Sequence, residues 1–561
     1  MLRLAEIKLP IDHAPDALQG AVAGALGVEP DSIRSIELFK RSFDARKAAL
    51  QVVYIVDVEL VDGQGEDALL ARHAGNPRIC RTPDMRWQPP VAASAAPSPR
   101  PVVVGFGPCG IFAALALAQM GLKPIVLERG KSVRERTQDT WGLWRRGVLD
   151  PESNVQFGEG GAGTFSDGKL YSQIKDPRWL GRKVMNEFVK SGAPEEILVA
   201  AHPHIGTFKL VKVVENLRAR ITALGGEVRF QQRVTDLLIE GGRLRGLAVV
   251  DAATGETTEL AAEQVVLAVG HSARDTFEML HQRGVAMVAK PFSIGFRIEH
   301  PQGLIDRARW GRHAGHPLLG AADYKLVHHA TQGEGVGRSV YSFCMCPGGT
   351  VVAATSEIGR VATNGMSQYS RNERNANAGI VVGIEPGDYA SFEPAETAGH
   401  TAGAAGHPLA GIAFQRELEA RAYRLGGGDY RAPGQRVGDF LGLRASTQWG
   451  TVEPSYRPGV LPTDLSSALP GYATAAIREA LPVFGEKIKG FDMADAVLTG
   501  VETRTSSPLR IPRGDDLQSP SLRGLYPAGE GAGYAGGILS AGVDGIKVAE
   551  ALARDRTTTS P

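Results

Sequence analysis

The chain is poor in cysteine, with four among its 561 residues. Cys80, Cys109, Cys344 and Cys346 are too few and too unevenly spaced for a disulfide framework. No CxxC pair or His/Cys spacing typical of zinc ligands occurs either. The sequence therefore predicts neither a disulfide-stabilised secreted domain nor a structural metal.

Long apolar runs and an excess of charge are also missing. No apolar run of about eighteen residues, the length that spans a bilayer, occurs, and the first residues, MLRLAEIKLPIDHAPD, do not form a signal peptide. The formal net charge is +1, so no whole-chain field attracts the protein to nucleic acid or to an anionic membrane. We expect a cytoplasmic protein that acts on a small molecule. Nothing in the sequence specifies an oligomeric state.

Glycine is abundant, with 69 residues, and it is concentrated in a few stretches. The most informative is VVVGFGPCGIFAALALAQMG, in which Gly105, Gly107 and Gly110 form G-x-G-x-x-G between an apolar strand and an apolar helix. Such a turn brings backbone amides at the helix start to a pyrophosphate. Glu128 ends the next strand, where a carboxylate can accept the ribose hydroxyls of an adenosine. This pattern predicts a dinucleotide site.

A second glycine-rich stretch, LYPAGEGAGYAGGILSAGVDGI, identifies the dinucleotide as FAD. It reads as a strand, a loop and a helix start, so Glu530 is expected near the ribityl chain and the amides near Gly537 and Ile538 near the flavin pyrimidine. GEGVGR, residues 333–338, has no helix after it and reads as a loop. NAD(P)H is therefore expected either to enter the flavin site transiently or to be replaced by another electron donor.

Six stretches carry a resemblance to a known family: GFGPCG with VLERG, NVQFGEGGAGTFSDGKL, HPHIGTFKL, LAVGHSARDTF, SFCMCPGGTVV and GLYPAGEGAGYAGGI. Together they resemble the bacterial FAD-dependent dehydrogenases grouped as NAD(P)/FAD-dependent oxidoreductases, of the glutathione-reductase-type flavoprotein superfamily. The resemblance implies FAD-contacting positions along most of the chain. These are Gly105, Gly107, Pro108, Gly110, Glu128 and Arg129 for the ADP half; Gly160, Gly161, Thr164, Ser166 and Asp167 beside the pyrophosphate and ring; Val234 and Gly270; and Gly529, Glu530, Gly536, Gly537 and Ile538.

The fold class expected is α/β, with a Rossmann-like FAD-binding domain interrupted by an α+β substrate domain and preceded by a small α+β domain. The predicted boundaries are 1–83 for the N-terminal α+β domain, 84–100 for a linker rich in Pro, Ala and Ser, 101–284 for the first FAD-binding part with a helical insertion at about 175–225, 285–490 for the inserted domain, 491–555 for the second FAD-binding part, and 556–561 for a tail.

Catalytic candidates are fewer because a flavin carries out redox chemistry itself. Cys344 and Cys346 are two apart, so on a regular strand they face one side; they are either a thiol pair beside the flavin or buried, unreactive side chains. His271, followed by Arg274, lies either at the cofactor edge or at a helix cap.

Three further basic residues have either a functional or a purely structural interpretation. Arg504 either binds an anionic substrate or the N1 side of reduced flavin, or forms an interdomain salt bridge. Arg297 and His300 alternate poorly for one strand face and are expected at ordinary surface positions.

The sequence thus predicts an FAD-dependent oxidoreductase that transfers a hydride between flavin N5 and an unidentified small organic substrate. Two alternatives remain open. One is a flavoprotein that acts on RNA through its N-terminal domain, with Lys40, Arg41, Arg46 and Lys47 as a basic run, although a solvated face is the commoner meaning of such a run. The other is a protein that binds FAD without turnover.

Overall fold

The computed structural model describes residues 1–45, 49–61, 65–90, 99–392 and 406–559. Arg46 and Lys47 of the basic run lie outside the described residues. Within the described residues, no helix combines the length and the apolar character needed to cross a bilayer.

The N-terminal unit is a four-stranded antiparallel sheet with two helices. Its elements are β1 (Leu2–Pro10), α1 (Ala17–Leu26), β2 (Ile33–Asp44), β3 (Gln51–Leu60), α2 (Glu66–Arg72) and β4 (Ile79–Arg81). The strand order β2-β3-β1-β4 is that of a split βαβ (ferredoxin-like) unit. Helix α1 ends at Gly27, which takes a left-handed conformation (φ 66°) and caps the helix. The α+β expectation for this unit is confirmed.

The next segment builds most of a parallel sheet and a small antiparallel one. Its elements are β5 (Val102–Val104), α3 (Pro108–Gln119), β6 (Ile125–Leu127), α4 (Val133–Arg146), α5 (Leu180–Lys190), α6 (Thr207–Ala223), β7 (Glu227–Arg229), β8 (Gln232–Glu240), β9 (Arg243–Asp251), β10 (Thr257–Ala261), β11 (Val265–Leu267) and α7 (Arg274–Gln282). Residues 227–240 divide at Gln231 (φ 58°) into β7 and β8, and these belong to different sheets.

The middle of the chain forms a large sheet covered by helices. Its elements are β12 (Val288–Ala289), β13 (Phe292–Pro301), α8 (Gln302–Trp310), β14 (Val327–His329), β15 (Ser339–Ala353), β16 (Thr363–Ser367), β17 (Asn375–Ile384), α9 (Pro386–Tyr389), α10 (Ala410–Leu425), β18 (Ala432–Arg436), α11 (Val437–Leu441), β19 (Val460–Pro462), α12 (Gly471–Lys487) and β20 (Val497–Glu502). The strand order is β14-β15-β17-β13-β20-β18-β19, with β16 paired to β15. Strand β20 lies beyond residue 490, yet it pairs with β13 inside this sheet.

The last segment returns to the parallel sheet with β21 (Leu509–Arg510), β22 (Leu525–Pro527) and α13 (Ile538–Thr559). The parallel sheet has the order β22-β11-β5-β6-β7, so its central strand carries the glycine turn and its edge strand leads to the C-terminal glycine loop. Helix α13 packs along α3, and Gly545 of α13 lies so close to α3 that an added Cβ would be 2.2 Å from the Cys109 carbonyl oxygen. The predicted α/β class, with an interrupted Rossmann-like sheet, is confirmed.

Candidate functional site

A single cavity of about 390 Å³ lies between the carboxyl edge of the parallel sheet and the large sheet. We call it the central cavity. Gly107, from the first glycine turn, and Gly537, from the C-terminal loop, both line it. Two segments more than four hundred residues apart in the chain therefore face one space, which has a volume ordinary for a small-molecule or cofactor site.

Most predicted site residues meet at this cavity. Its lining includes Gly105, Gly107, Pro108, Glu128, Arg129, Gly161, Ser166, Asp167, Val234, Gly270, His271, Cys344, Arg504, Glu530, Gly536, Gly537 and Ile538. The remaining candidates lie behind this lining; they are Gly110, Gly160, Thr164, Cys346 and Gly529. Lys169 and Asn364 also line the cavity but were not singled out from the sequence, although Lys169 belongs to the quoted stretch GTFSDGKL.

The first glycine turn is shaped by close approach of backbone. Gly105 has φ 97°, and a Cβ there would lie 2.4 Å from the carbonyl oxygen of Ala268, at the end of β11. Gly161 has φ 59°, and its Cβ would lie 2.8 Å from the Cα of Gly107. Helix α3 begins at Pro108, so its first unpaired amides point toward the cavity. The turn thus has the geometry that the glycine spacing predicts.

Glu128 is buried, and its carboxylate joins three loops. It accepts hydrogen bonds from the amides of Phe106 (2.8 Å), Gly130 (2.9 Å) and Gly158 (2.9 Å). The side chain lines the central cavity but is also an anchor for the glycine turn itself. Its role toward a ribose stays a prediction, and the structure adds a supporting role that the sequence pattern does not reveal.

Arg136, on α4, is a further supporting residue. Its fully buried guanidinium donates to the carbonyls of Asn154 (2.8 Å), Val155 (2.7 Å) and Glu159 (2.7 Å). Burial lowers the pKa of Arg136 to about 10, so the group remains a cation at neutral pH. One charged side chain therefore fixes the backbone of the loop that follows residue 153.

Asp167 and Arg371 form a buried ion pair at the wall of the cavity. Arg371 Nε lies 3.0 Å from Asp167 Oδ1. Burial alone would raise the pKa of Asp167, but Arg371 and Lys169 outweigh it and hold the pKa below its usual value. Lys169 also donates to the main-chain carbonyl of Met345. A fixed anion and a fixed cation thus lie side by side next to the strand that carries the cysteines.

Cys344 sits on a bulge of β15. The register to β17 shifts between Phe343 and Cys346, and Cys344 has φ 42°, a left-handed conformation that is uncommon for a residue with a side chain. Cys344 lines the central cavity, whereas Cys346 is fully buried, with its Sγ 3.3 Å from the Cys344 carbonyl oxygen. The bulge explains why the two thiols do not occupy equivalent positions, as they would on a regular strand.

Charged groups around the bulge change the ionisation of Cys344. A hydrogen bond from the Cys346 thiol, together with nearby Lys169 and Arg297, lowers the pKa of the Cys344 thiol well below its usual value despite burial. Arg297 is not at the surface as expected: it is fully buried on β13 and paired with Glu502 at 3.0 Å. It donates to the Cys344 carbonyl at 2.9 Å.

The prediction of a surface position is also wrong for His300, which is fully buried and lies 2.5 Å from the Phe491 carbonyl oxygen. Both errors have one cause. Nearly all of β13 is buried on both faces, because α12 and neighbouring helices cover the large sheet, and a strand buried on both faces does not alternate.

Arg504 belongs to a buried charge cluster at the cavity. Its Nε lies 3.0 Å from Glu419 on α10, and its Nη1 lies 2.8 Å from Ser356 and 3.1 Å from Ser272. Arg274 pairs with the same carboxylate, its Nη2 lying 2.8 Å from Glu419 Oε1. Arg504 thus links the two domains and also lines the cavity, so both functions considered for it are compatible with its position.

The cluster governs the charge of its neighbours. Burial alone would raise the pKa of Glu419, but Arg274 and Arg504 outweigh it and hold the pKa below its usual value. Burial, with the same two arginines nearby, lowers the pKa of His271 to about 3, so this imidazole is neutral at neutral pH. His271 lines the cavity, while Arg274 starts helix α7 in a buried position.

Glu530 adds a group that titrates near neutrality. Burial and nearby Cys344 raise the pKa of Glu530 to about 7, with Lys290 opposing. Glu530 lines the central cavity and follows Gly529, which has φ 72°. A carboxyl group whose pKa is raised to about 7 therefore faces the same space as a thiol whose pKa is lowered.

Three parts of the chain match described protein families. Residues 164–324 match the family described as FAD dependent oxidoreductase, residues 291–505 match FAD-dependent protein, C-terminal domain-like, and residues 1–59 match a domain of unknown function. An uncharacterised protein of Clostridium beijerinckii is 45% identical over 551 residues, which cover 98% of this chain and 98% of that protein. The chain belongs to the FAD-dependent oxidoreductases.

Two solved structures show weaker similarity to this chain. A glycerol-3-phosphate dehydrogenase from Bacillus halodurans, solved with FAD, is 12% identical with a TM-score of 0.33, covering 82% of this chain and 65% of that one. A geranylgeranyl bacteriochlorophyll reductase-like protein from Thermoplasma acidophilum is 14% identical with a TM-score of 0.34, covering 82% and 80%. Scores this low carry no weight for substrate or mechanism.

The residues of the central cavity fit FAD. A Cβ added at Gly270 or Gly536 would meet no atom within 4 Å, although both glycines line the cavity. Backbone is thus left bare where a cofactor must approach closely. The α3 amides and Arg129 would hold a diphosphate and its ribose, and the start of α13 would lie beside the ring system.

Proposed function

We propose that the protein exchanges a hydride between FAD in the central cavity and a small organic substrate. The observation that carries this proposal is that Gly107 and Gly537, from opposite ends of the Rossmann-like fold, line one cavity. When bound, FAD supplies hydride exchange at its N5 atom. The chain supplies binding, orientation and charge.

The diphosphate end is assigned to the first glycine turn. Helix α3 presents unpaired amides and the positive end of its dipole there, which favours a diphosphate. Arg129 lies against the ring of Phe157 at 4.1 Å and pairs with Glu152 and Asp275, so its guanidinium is held rigidly at the cavity edge. Rigid placement lowers the entropic cost of binding a ligand.

The substrate is assigned to the part of the cavity lined by Cys344, Asn364 and Glu530. The hydrogen bond from Cys346, with Lys169 and Arg297, lowers the pKa of the Cys344 thiol and so favours its thiolate form there. The Glu530 carboxyl group can hold or release a proton near neutral pH. The Cys344 thiol and the Glu530 carboxyl group could therefore transfer a proton in a reaction that moves a proton together with a hydride.

Arg504 and His271 are assigned to orientation and electrostatics. The guanidinium of Arg504 is a fixed cation because Glu419 holds it. His271 is neutral, so it can donate or accept a hydrogen bond without adding charge. This combination favours an anionic substrate group or the negative charge of a reduced flavin ring.

The electron donor is proposed to be NADH or NADPH, which would enter the central cavity transiently. Within the described residues, the glycines of GEGVGR form a short 3₁₀ helix at Gly333–Gly335 that leads into β15 and not into an α-helix. This region therefore offers no dinucleotide turn of its own.

The experiment is flavin analysis of the purified chain and of Gly536→Val, with Gly20→Val as the matched control. Both glycines have open space at the Cβ position, but only Gly536 lines the central cavity. We expect FAD in the parent and the control, and at least a tenfold loss in Gly536→Val without a change in thermal midpoint of the flavin-free chains. Equal flavin content in all three would refute the assignment.

Turnover is tested separately by stopped-flow reduction with NADH and NADPH under anaerobic conditions. Bleaching of the flavin by one of them, followed by reoxidation with a member of a metabolite panel, is the expected result. A chain that holds FAD but is reduced by neither these nor an artificial donor would instead be a non-catalytic flavin carrier.

A further inference from the structure

A second cavity, larger than the first, lies between the N-terminal unit and the rest of the chain. We call it the interdomain cavity; its volume is about 890 Å³. Strands β1 to β3 form one side and segment 196–204 a second. The end of α8 with the segment after it, and the residues around Tyr369, form the others. None of the residues assigned to FAD above lines the interdomain cavity. Arg371, the ion-pair partner of Asp167, does line it.

The two domains are joined firmly at this cavity. The amide of Arg41 donates to the Val199 carbonyl at 2.6 Å, and the amide of Ala201 donates to the Arg41 carbonyl at 3.0 Å. Phe39 of β2 also packs edge-on against Trp179 of the second domain, with ring centroids 6.1 Å apart. The cavity is therefore a built feature with a fixed backbone on both sides.

Among the charged residues that line the interdomain cavity, the carboxylates have partners but two arginines have no ion-pair partner within the described residues. Each carboxylate has a partner: Glu6 pairs with Arg78, Asp44 with Lys8, Glu196 with the Tyr369 hydroxyl, and Asp323 with His202. Arg41 and Arg309 have no ion-pair partner in the part of the chain that the structure describes, and Arg309 donates only to the Asp323 carbonyl, at 3.1 Å. Two uncompensated guanidinium groups thus face a space that is closed on several sides.

We propose that the interdomain cavity is a second ligand site, which binds a small organic anion with at least two negative charges through Arg41 and Arg309. Guanidinium groups bind carboxylates and phosphates by paired, charge-assisted hydrogen bonds. Part of the basic run that raised the possibility of RNA binding is explained in this way, because Arg41 lines the cavity while its neighbour Lys40 is exposed outside it.

The interdomain cavity and the central cavity are bordered by one shared ion pair and one shared backbone pairing. Residues 167–170 pair with 203–206 by backbone hydrogen bonds, with the Leu170 amide 2.8 Å from the Pro203 carbonyl oxygen. Asp167 lines the central cavity, and its partner Arg371 lines the interdomain cavity. An anion beside Arg371 therefore competes with Asp167 for the same guanidinium and changes the field at the flavin site.

The test is calorimetric titration of the FAD-loaded full chain at low ionic strength, with inorganic pyrophosphate and citrate as the two probes. We expect saturable binding of one of them, which distinguishes a phosphate site from a carboxylate site. Arg41→Gln and Arg309→Gln should each weaken that binding at least about tenfold. Lys40→Gln and Arg307→Gln are matched controls, since they neutralise exposed neighbours on the same elements outside the cavity.

The controls should change the dissociation constant by less than about twofold. Three results would overturn the proposal: no binding of either probe, equal weakening by the control pair, or binding that releases FAD and so occurs in the central cavity. Because retention of FAD is measured in the same samples, failure of this proposal is separate from failure of the proposed function.

Discussion

The guanidinium of Arg297 donates to the carbonyl of Cys344 at 2.9 Å while it pairs with Glu502 at 3.0 Å. One buried cation thus fixes the backbone of the bulge that presents a thiol to the central cavity. Removing one partner of a buried pair leaves the other charge uncompensated, which costs about 3–5 kcal/mol.

Arg297→Met should therefore lower the free energy of unfolding by about that amount, measured by urea denaturation of the flavin-free chain. Arg34→Met is the control, because the Arg34–Glu59 pair is exposed to solvent and such pairs contribute less than about 1 kcal/mol. Similar losses for the two variants would contradict the role assigned to Arg297.

Cys344 should react with iodoacetamide at lower pH than an ordinary thiol, because its pKa is lowered. Lys169→Met removes one of the stabilising cations and should move the alkylation profile of Cys344 to higher pH. Peptide mass spectrometry measures both, with exposed Cys80 in the same chain as the internal reference. A profile unchanged by Lys169→Met would show that the lysine does not act on the thiol.

Glu530 makes stability depend on pH. Its pKa is raised to about 7 in the folded chain, so the folded state keeps a proton that the unfolded state loses above the ordinary carboxyl value. The free energy of unfolding therefore falls by up to about 3 kcal/mol as the pH rises from about 4.5 to about 7, and then levels off.

Glu530→Gln should remove this fall. Thermal midpoints of the flavin-free parent and variant at pH 5 and pH 8 measure it: the variant should gain stability at pH 8 relative to the parent and show little difference at pH 5. A parent and variant that keep the same offset at both pH values would rule out a raised pKa at this position.

Glu128→Ala should weaken FAD binding and also loosen the glycine turn. Loss of a charge-assisted bond costs about 1.5–3 kcal/mol, equivalent to roughly ten- to a hundredfold in affinity. Because three amides lose their acceptor, the thermal midpoint of the flavin-free chain should fall as well. Glu135→Ala, on the exposed first turn of α4, is the control, and fluorescence titration with FAD gives the affinities.

The parts of the site that follow from the sequence are those encoded by a contiguous pattern. Gly105 and Gly107 are required by the local turn, and the glycine-rich stretch that ends at Ile538 predicts the start of a helix. Both features can therefore be predicted without knowledge of the fold. Arg136 and Glu419 could not be found in this way. Their importance comes from burial against segments far away in the chain, and isolated charged residues in helices give no signal of it.

The wrong prediction of a surface position for Arg297 also comes from contacts between distant segments. Polar residues within a strand suggest a solvent-facing side only when one face of the sheet is exposed. Strand β20, whose Glu502 neutralises Arg297, lies about two hundred residues further along the chain, and its place in the large sheet depends on a pairing that local patterns do not encode.

The contact of α13 with α3 has a consequence for biosynthesis. Since Gly545 lies against Cys109, the first glycine turn has its helical support only after the polypeptide beyond residue 545 has left the ribosome. Chains that stop earlier would leave the apolar flank of α3 uncovered and would lack the cavity lining contributed by the start of α13, so we expect them not to retain the prosthetic group.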